Sequence, residues 1–179
     1  YPFEQHSRRP IGQHFISITS GQEITVVVTQ FPRRGNCPAE EDPNADQGDG
    51  QACWNKLRAE AAGSLAGWVL ELQAESGDEV LVIGDLNSYA KEEPLQTLGA
   101  TGLANVEPGD GDEVGSYSAV LNGEAGTLNY GFVTADMASK VAWVQRWHIN
   151  ADEPQALDYR ETNQPLLYTP NPYRSATKD

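Results

Sequence analysis

The chain is poor in positive charge. Its 179 residues carry 12 Lys+Arg against 26 Asp+Glu, a formal net charge of −14 at pH 7. Phosphate backbones and anionic lipid surfaces are repelled by such a chain, which excludes a general nucleic-acid coat or a lipid-adhering domain unless metal ions or a local basic patch intervene. Long apolar runs are also lacking. Those at 26–28 and 80–83 reach about five residues with their neighbours, too few for a membrane-spanning helix. Methionine is nearly missing: the single one is Met137, and the chain opens on Tyr1-Pro2-Phe3. That predicts a processed product, a fragment or the ordered part of something longer. Apolar residues nonetheless make up 39%, which excludes a wholly disordered chain. The length suits one domain, 1–179, with a real core.

Cysteine is scarce. Cys37 and Cys53 lie in a loop rich in Gly, Asp, Asn and Pro. Such a loop has no core of its own, and a crosslink closing it would stabilise by roughly 3 kcal/mol in the chain-entropy model. Two unrelated thiols are the alternative. Zinc is disfavoured, because no third or fourth Cys or His stands at ligand spacing. A disulfide points to an oxidising compartment, extracellular or periplasmic.

Residues 13–18 and 23–31 read as strands around the turn Ser20-Gly21-Gln22, the second built on β-branched residues. A long loop over 32–53 follows, with Glu40, Glu41, Asp42, Asp46 and Asp49. Leu57, Ala61, Leu65, Trp68 and Leu72 recur at steps of three and four, predicting a helix over 55–74 that Gly77 breaks. A short apolar strand over 80–83 stops at Gly84-Asp85. A helix at 93–98, a strand near 103–106 and a hairpin of 117–121 with 127–134 through Asn122-Gly123 are expected next. The alternation of 141–148 places Val141, Trp143, Gln145 and Trp147 on one strand face. Hairpins mixed with a strand–helix–strand passage predict an α/β or α+β layered domain.

Several groups could carry chemistry. Gly84-Asp85-Leu86-Asn87 follows a buried strand directly, so Asp85 and Asn87 project together at the sheet's carboxyl end. One carboxylate and one amide so placed can hold a metal-bound water or a phosphoryl oxygen; a plain turn is the bland reading. Asp42, Asn44 and Asp46 alternate like the start of a calcium loop. Gln47 stands where that loop needs Gly, and Cys53 where it needs Glu, so an EF-hand is excluded. A looser Ca²⁺ site using Asp46 or Asp49 stays open beside a simply solvated acidic loop. His6, His14 and His148 have no ligand spacing and read as structural or exposed. Arg33-Arg34 reads as a solvated strand-end pair or a phosphate contact. The tryptophans fit a core.

The stretch Gly84-Asp85-Leu86-Asn87-Ser88-Tyr89-Ala90, with Glu93-Pro94 close behind, resembles the endonuclease/exonuclease/phosphatase superfamily, above all its large secreted bacterial nucleases. Asp46-Gln47-Gly48-Asp49-Gly50-Gln51 with Cys53-Trp54-Asn55 resembles their disulfide loop and following helix. Trp147-His148-Ile149-Asn150-Ala151-Asp152-Glu153-Pro154 and Leu157-Asp158-Tyr159 are similar to a late segment, and Arg9-Pro10 to the lead-in of the first strand. The resemblance implies the C-terminal half of a DNase I-like four-layered α/β sandwich and metal-dependent phosphodiester cleavage. It also exposes departures where that family keeps its chemistry. Gln30 stands in place of a histidine, Asn129 in place of an aspartate, Thr177 in place of an aspartate and Lys178 in place of the essential histidine. An amide neither takes nor gives a proton near neutral pH. Asp85 and Asn87 remain.

Losing one general acid or base costs 10²–10⁴-fold, and a set acting as a unit loses most of its rate with the first member. The sequence therefore reads as a catalytically degenerate, extracellular relative with a structural or binding role. No cofactor is required; Mg²⁺ or Ca²⁺ remains compatible. A half-sandwich leaves a sheet face uncovered, so partners are the missing N-terminal half, another chain or a second copy. No membrane insertion is expected. The alternatives are a fragment of an active divalent-metal-dependent nuclease, which alone would engage nucleic acid, and a module binding a phosphorylated ligand.

Overall fold

The computed structural model describes residues 3, 6–77, 79–106, 117–121 and 124–146. Strand β2 (Glu23–Gln30) alternates between two faces, burying Thr25, Val27 and Thr29 on one of them. It pairs antiparallel with β1 (Ile11–Ile16). The expected first strand was 13–18. It lies two residues earlier because the Ser17 N–H already bonds the Gln22 carbonyl at 2.8 Å and commits the chain to the turn. Gly21 sits there at φ 71°, a region costly for residues with a side chain.

Helix α1 (Asn55–Ser76) buries Arg58, Ala61, Ala62, Leu65, Ala66 and Val69 along one stripe. It ends at Gly77, whose left-handed backbone lets its N–H bond the Gln73 carbonyl. Its start is unusual. Trp54 is left-handed and gives no side-chain cap; Oδ1 of Asn44, far back in the loop, accepts the Leu57 N–H at 3.0 Å. Strand β3 (Glu79–Asp85) returns parallel to β2. Helix α2 (Glu93–Ala100) opens on Pro94 and packs against α1. Then come β4 (Ala104–Asn105), β5 (Ala119–Leu121), β6 (Glu124–Gly126), β7 (Asn129–Val133) and the short α3 (Ala135–Ala138).

The main sheet runs β1-β2-β3-β7-β4, while β5 and β6 form a separate ribbon. This corrects two expectations. Strand β5 pairs with β6 rather than with 127–134, because burial of Tyr130 and Phe132 draws β7 into the main sheet between β3 and β4. Residues 141–146 form no strand, and Trp143 is 77% exposed rather than in a core. Alternation alone does not make a strand without a neighbour to pair with.

Helices α1 and α2 form a core with one face of the sheet. Val27, Val80, Val82 and Phe132 join Leu65, Val69, Leu95 and Leu98. Gly84 allows β2 and β3 to close at this point: a Cβ on it would lie 1.9 Å from the Thr29 carbonyl oxygen. The opposite face has a different character. Register aligns Ile11, Val28 and Ile83 across β1, β2 and β3, and places Phe15 beside Ile24. Ile11 is 71% exposed, Phe15 51%, Val28 52% and Ile83 40%, so among the described residues this apolar face lies largely open.

Candidate functional site

The strand ends assemble the site. Gln30 closes β2, Asp85 closes β3 and Asn129 opens β7, and the register pairs Gln30 with Asp85 and Asp85 with Asn129. Residues paired in this way point to the same side of a sheet, so the three form a row at the edge of the open face. The backbone zips beyond them: the Phe31 N–H bonds the Asp85 carbonyl at 2.9 Å, and the Leu86 N–H bonds the Leu128 carbonyl at 2.8 Å.

Asn87 joins the row from the following loop. Its backbone is left-handed at φ 48°, a conformation Asn tolerates better than most residues. Its N–H donates to Asp85 Oδ1 at 3.0 Å, and its Nδ2 to the Phe31 carbonyl at 3.1 Å. Burial pushes the Asp85 carboxyl above its usual range. Hydrogen bonds from the Asn87 backbone and from the Gln30 and Asn87 side chains, with the Arg33 charge, oppose that shift. On β7, Ser118 Oγ accepts the N–H groups of Leu128 and Asn129 at 2.9 and 3.0 Å.

A charged bracket lies behind this row. Arg34 Nη1 donates to both carboxylate oxygens of the buried Glu92, at 2.6 and 2.7 Å, and its guanidinium lies 4.6 Å from the Tyr89 ring centroid. Arg58, fully buried on α1, lies 3.9 Å from Glu92. Desolvation first, then the nearby Arg34 charge, lowers its pKa to about 10, with Glu92 opposing. Arg34 is thus neither a solvated strand-end residue nor open for a phosphate; Arg33 is exposed. Sequence reasoning overlooked Arg58 and Glu92. A signal existed for Arg58, which stands three and seven residues before Ala61 and Leu65, on the buried stripe itself.

The disulfide is present between Cys37 and Cys53. Asp46 and Asp49 serve local turns. Asp46 Oδ1 accepts the Gly48 N–H at 2.9 Å, and Asp49 Oδ1 the Gln51 N–H at 2.9 Å. The Gln51 backbone and side chain hold the Asp49 carboxyl below its usual range. Among the described residues no three His, Cys, Asp or Glu side chains converge as a metal group. His6 stacks on Trp54 with ring centroids 3.9 Å apart, and His14 lies 3.6 Å from Glu23. Thr177, Lys178, His148, Trp147 and the segment through Tyr159 lie outside the described residues.

The row therefore offers one carboxylate, Asp85, and three carboxamides, Gln30, Asn87 and Asn129. Mg²⁺ sites use one or two carboxylates with waters and phosphate oxygens, and Ca²⁺ sites need six to eight oxygens. One carboxylate meets the lower end of the Mg²⁺ requirement, while the four side chains together fall short of a Ca²⁺ shell and are otherwise suited to hydrogen bonding.

No protein-family model and no curated protein matches the chain. Solved structures do. The human Nocturnin catalytic domain, solved with a bound sulfate, is 18% identical with a TM-score of 0.51, covering 70% of this chain and 41% of its own. An endonuclease/exonuclease/phosphatase family protein from Bacteroides thetaiotaomicron is 16% identical with a TM-score of 0.48, covering 70% and 41%. A beta toxin variant from Staphylococcus aureus, solved with magnesium ions, is 16% identical with a TM-score of 0.47, covering 76% and 43%. The chain thus spans about two fifths of the length of the solved chains it matches. It has part of a DNase I-like α/β fold.

Proposed function

Starting from a chain with part of the DNase I-like fold, we propose a catalytically degenerate, extracellular domain whose role is binding rather than hydrolysis. One observation carries this reading. At the carboxyl ends of β2 and β3, Asp85 stands between Gln30 and Asn129, so its neighbours in the row are carboxamides that cannot exchange protons near neutral pH. Thr177 and Lys178 extend the same pattern in the sequence. The disulfide supports an oxidising compartment.

The binding surface in this reading is the open sheet face with Ile11, Phe15, Val28 and Ile83. Its partner is a second apolar sheet face, supplied by chain that is not part of this sequence. The 41% coverage of the Nocturnin catalytic domain supports that choice, because more than half of that chain has no counterpart in this one, and an apolar sheet face is buried by packing against a second layer. Asp85 favours the competing reading, an active divalent-metal-dependent phosphodiesterase. Incubating the complete protein with plasmid DNA and Mg²⁺, Mn²⁺ or Ca²⁺ separates the two. No cleavage above a blank is expected, whereas cleavage abolished by Asp85→Ala would overturn the degenerate reading.

A further inference from the structure

The loop that carries Asn87 is held from outside the sheet, and its holders converge on the last residues of the disulfide loop. Residues 50–53 turn three backbone carbonyls toward two guanidinium groups. The Gly50 carbonyl accepts from Arg34 Nη2 at 3.2 Å, that of Gln51 from Arg58 Nη2 at 2.5 Å, and that of Cys53 from Arg58 Nη1 at 2.8 Å. The same guanidiniums grip the site loop. Arg58 Nε donates to Ser88 Oγ at 3.1 Å, and Arg34 Nη1 reaches Glu92 and lies 3.4 Å from the Asn87 carbonyl. Gln51 adds a direct tie: its Oε1 accepts the Glu93 N–H at 2.9 Å.

Arg58 has no access to solvent. Its charge is tolerable in the interior because each nitrogen of the guanidinium has a partner. If residues 50–53 move away, two of those nitrogens lose their acceptors inside the protein. The guanidinium then has to reach water, and leaving its place releases Ser88. Cys53 joins this cradle to the crosslink, and its Sγ lies 3.1 Å from the Arg34 carbonyl oxygen. Segment 38–52 contributes only Ala45 to the buried apolar residues, so apolar burial does little to hold the cradle once the crosslink is gone.

We propose that the Cys37–Cys53 disulfide positions the Asn87 loop, with Arg34 and Arg58 as the positioning residues that transmit its effect, so that the row beside Asp85 is completed only in the oxidised chain. The claim that this loop is functional rests on the site described above; the coupling itself does not. Reduction by a dithiol breaks the S–S bond with two electrons, places one proton on each sulfur, and releases the reductant as its own disulfide. Cys37 is exposed and gives the reductant a way in.

Amide hydrogen exchange of the full chain, read residue by residue by NMR before and after dithiothreitol, tests this. Protection at Asn87, Glu92 and Glu93 is expected to fall at least tenfold on reduction, with Val27 and Val82 unchanged. Cys37→Ser is expected to reproduce that pattern. Arg58→Lys, with the disulfide intact, is expected to do so too, since an ammonium cannot span Ser88, Cys53 and Gln51 as the planar fork does. Unchanged protection at Asn87 and Glu92 in the reduced chain would overturn the proposal. So would an equal loss at Val82, which would make the disulfide a general staple. The readout involves no substrate, so these outcomes are separate from the plasmid assay.

Discussion

Replacing Gly84 by Ala should damage the sheet and the site together. The new methyl carbon would sit 1.9 Å from the Thr29 carbonyl oxygen and 2.8 Å from its carbonyl carbon. The obstacle is backbone, not the end of a side chain, so no rotamer change relieves it. β2 and β3 must part at the step immediately before Gln30 and Asp85. Overpacking a tight interior costs 1–3 kcal/mol, occasionally more, and an unyielding neighbour places this case at about 3 kcal/mol. For a domain of this size that lowers the melting temperature by about 10 °C. Gly67→Ala is the matched control: Gly67 lies in α1 with nothing within 4 Å of its added carbon. There the same substitution should stabilise by about 0.5–1 kcal/mol, through helix propensity. Urea unfolding followed by circular dichroism gives both values. Gly84→Ala within 1 kcal/mol of the parent, at unchanged m, would refute the closeness of the two strands.

Asp85→Asn should stabilise the protein at pH 7. A carboxyl whose pKa is raised by folding binds its proton more tightly in the native state, so stability falls as pH climbs from the ordinary value of 3.8 through the raised one. The gain should vanish below pH 3.8, and thermal melts across pH would show it; a gain that persists there would contradict the burial of Asp85. Arg58→Ala leaves Glu92 with Arg34 alone and strips two carbonyls of their donor, a cost of about 3–5 kcal/mol by urea titration. Changing Ile11, Phe15 and Val28 together to Thr should reduce binding of an apolar fluorescent dye severalfold. It should cost no more than about 1 kcal/mol, because these side chains face outward and Thr keeps strand propensity.

The sequence displayed its local periodicities faithfully. The alternation of β2, the stripe on α1, the apolar run of β3 and the glycine stop at residue 77 each depend on neighbours within one element. The pairing of β7 depends on residues far apart in the chain. Tyr130 and Phe132 find their burial beside β3 rather than beside the preceding ribbon, and no spacing in 117–134 shows that. The site divides in the same way. Asp85 and Asn87 were visible as a turn after a strand. The alignment of Asn129 with Asp85 needed the antiparallel register, and the Arg34–Glu92–Arg58 bracket joins a loop, a helix and another loop. Residues 141–146 show the converse, a convincing alternation with no strand beside it among the described residues.

The Asn44 side chain that caps α1 has a bearing on how this chain can drift. Length variation among relatives should gather at the exposed residues 39–41, where a longer chain merely bulges outward. Between Asn44 and Cys53 an inserted residue would pull the amide oxygen away from the Leu57 N–H and throw the Gly50–Cys53 carbonyls out of step with their arginines. What looks like a spacer between a strand and a helix should therefore be conserved in length as strictly as the helix it starts.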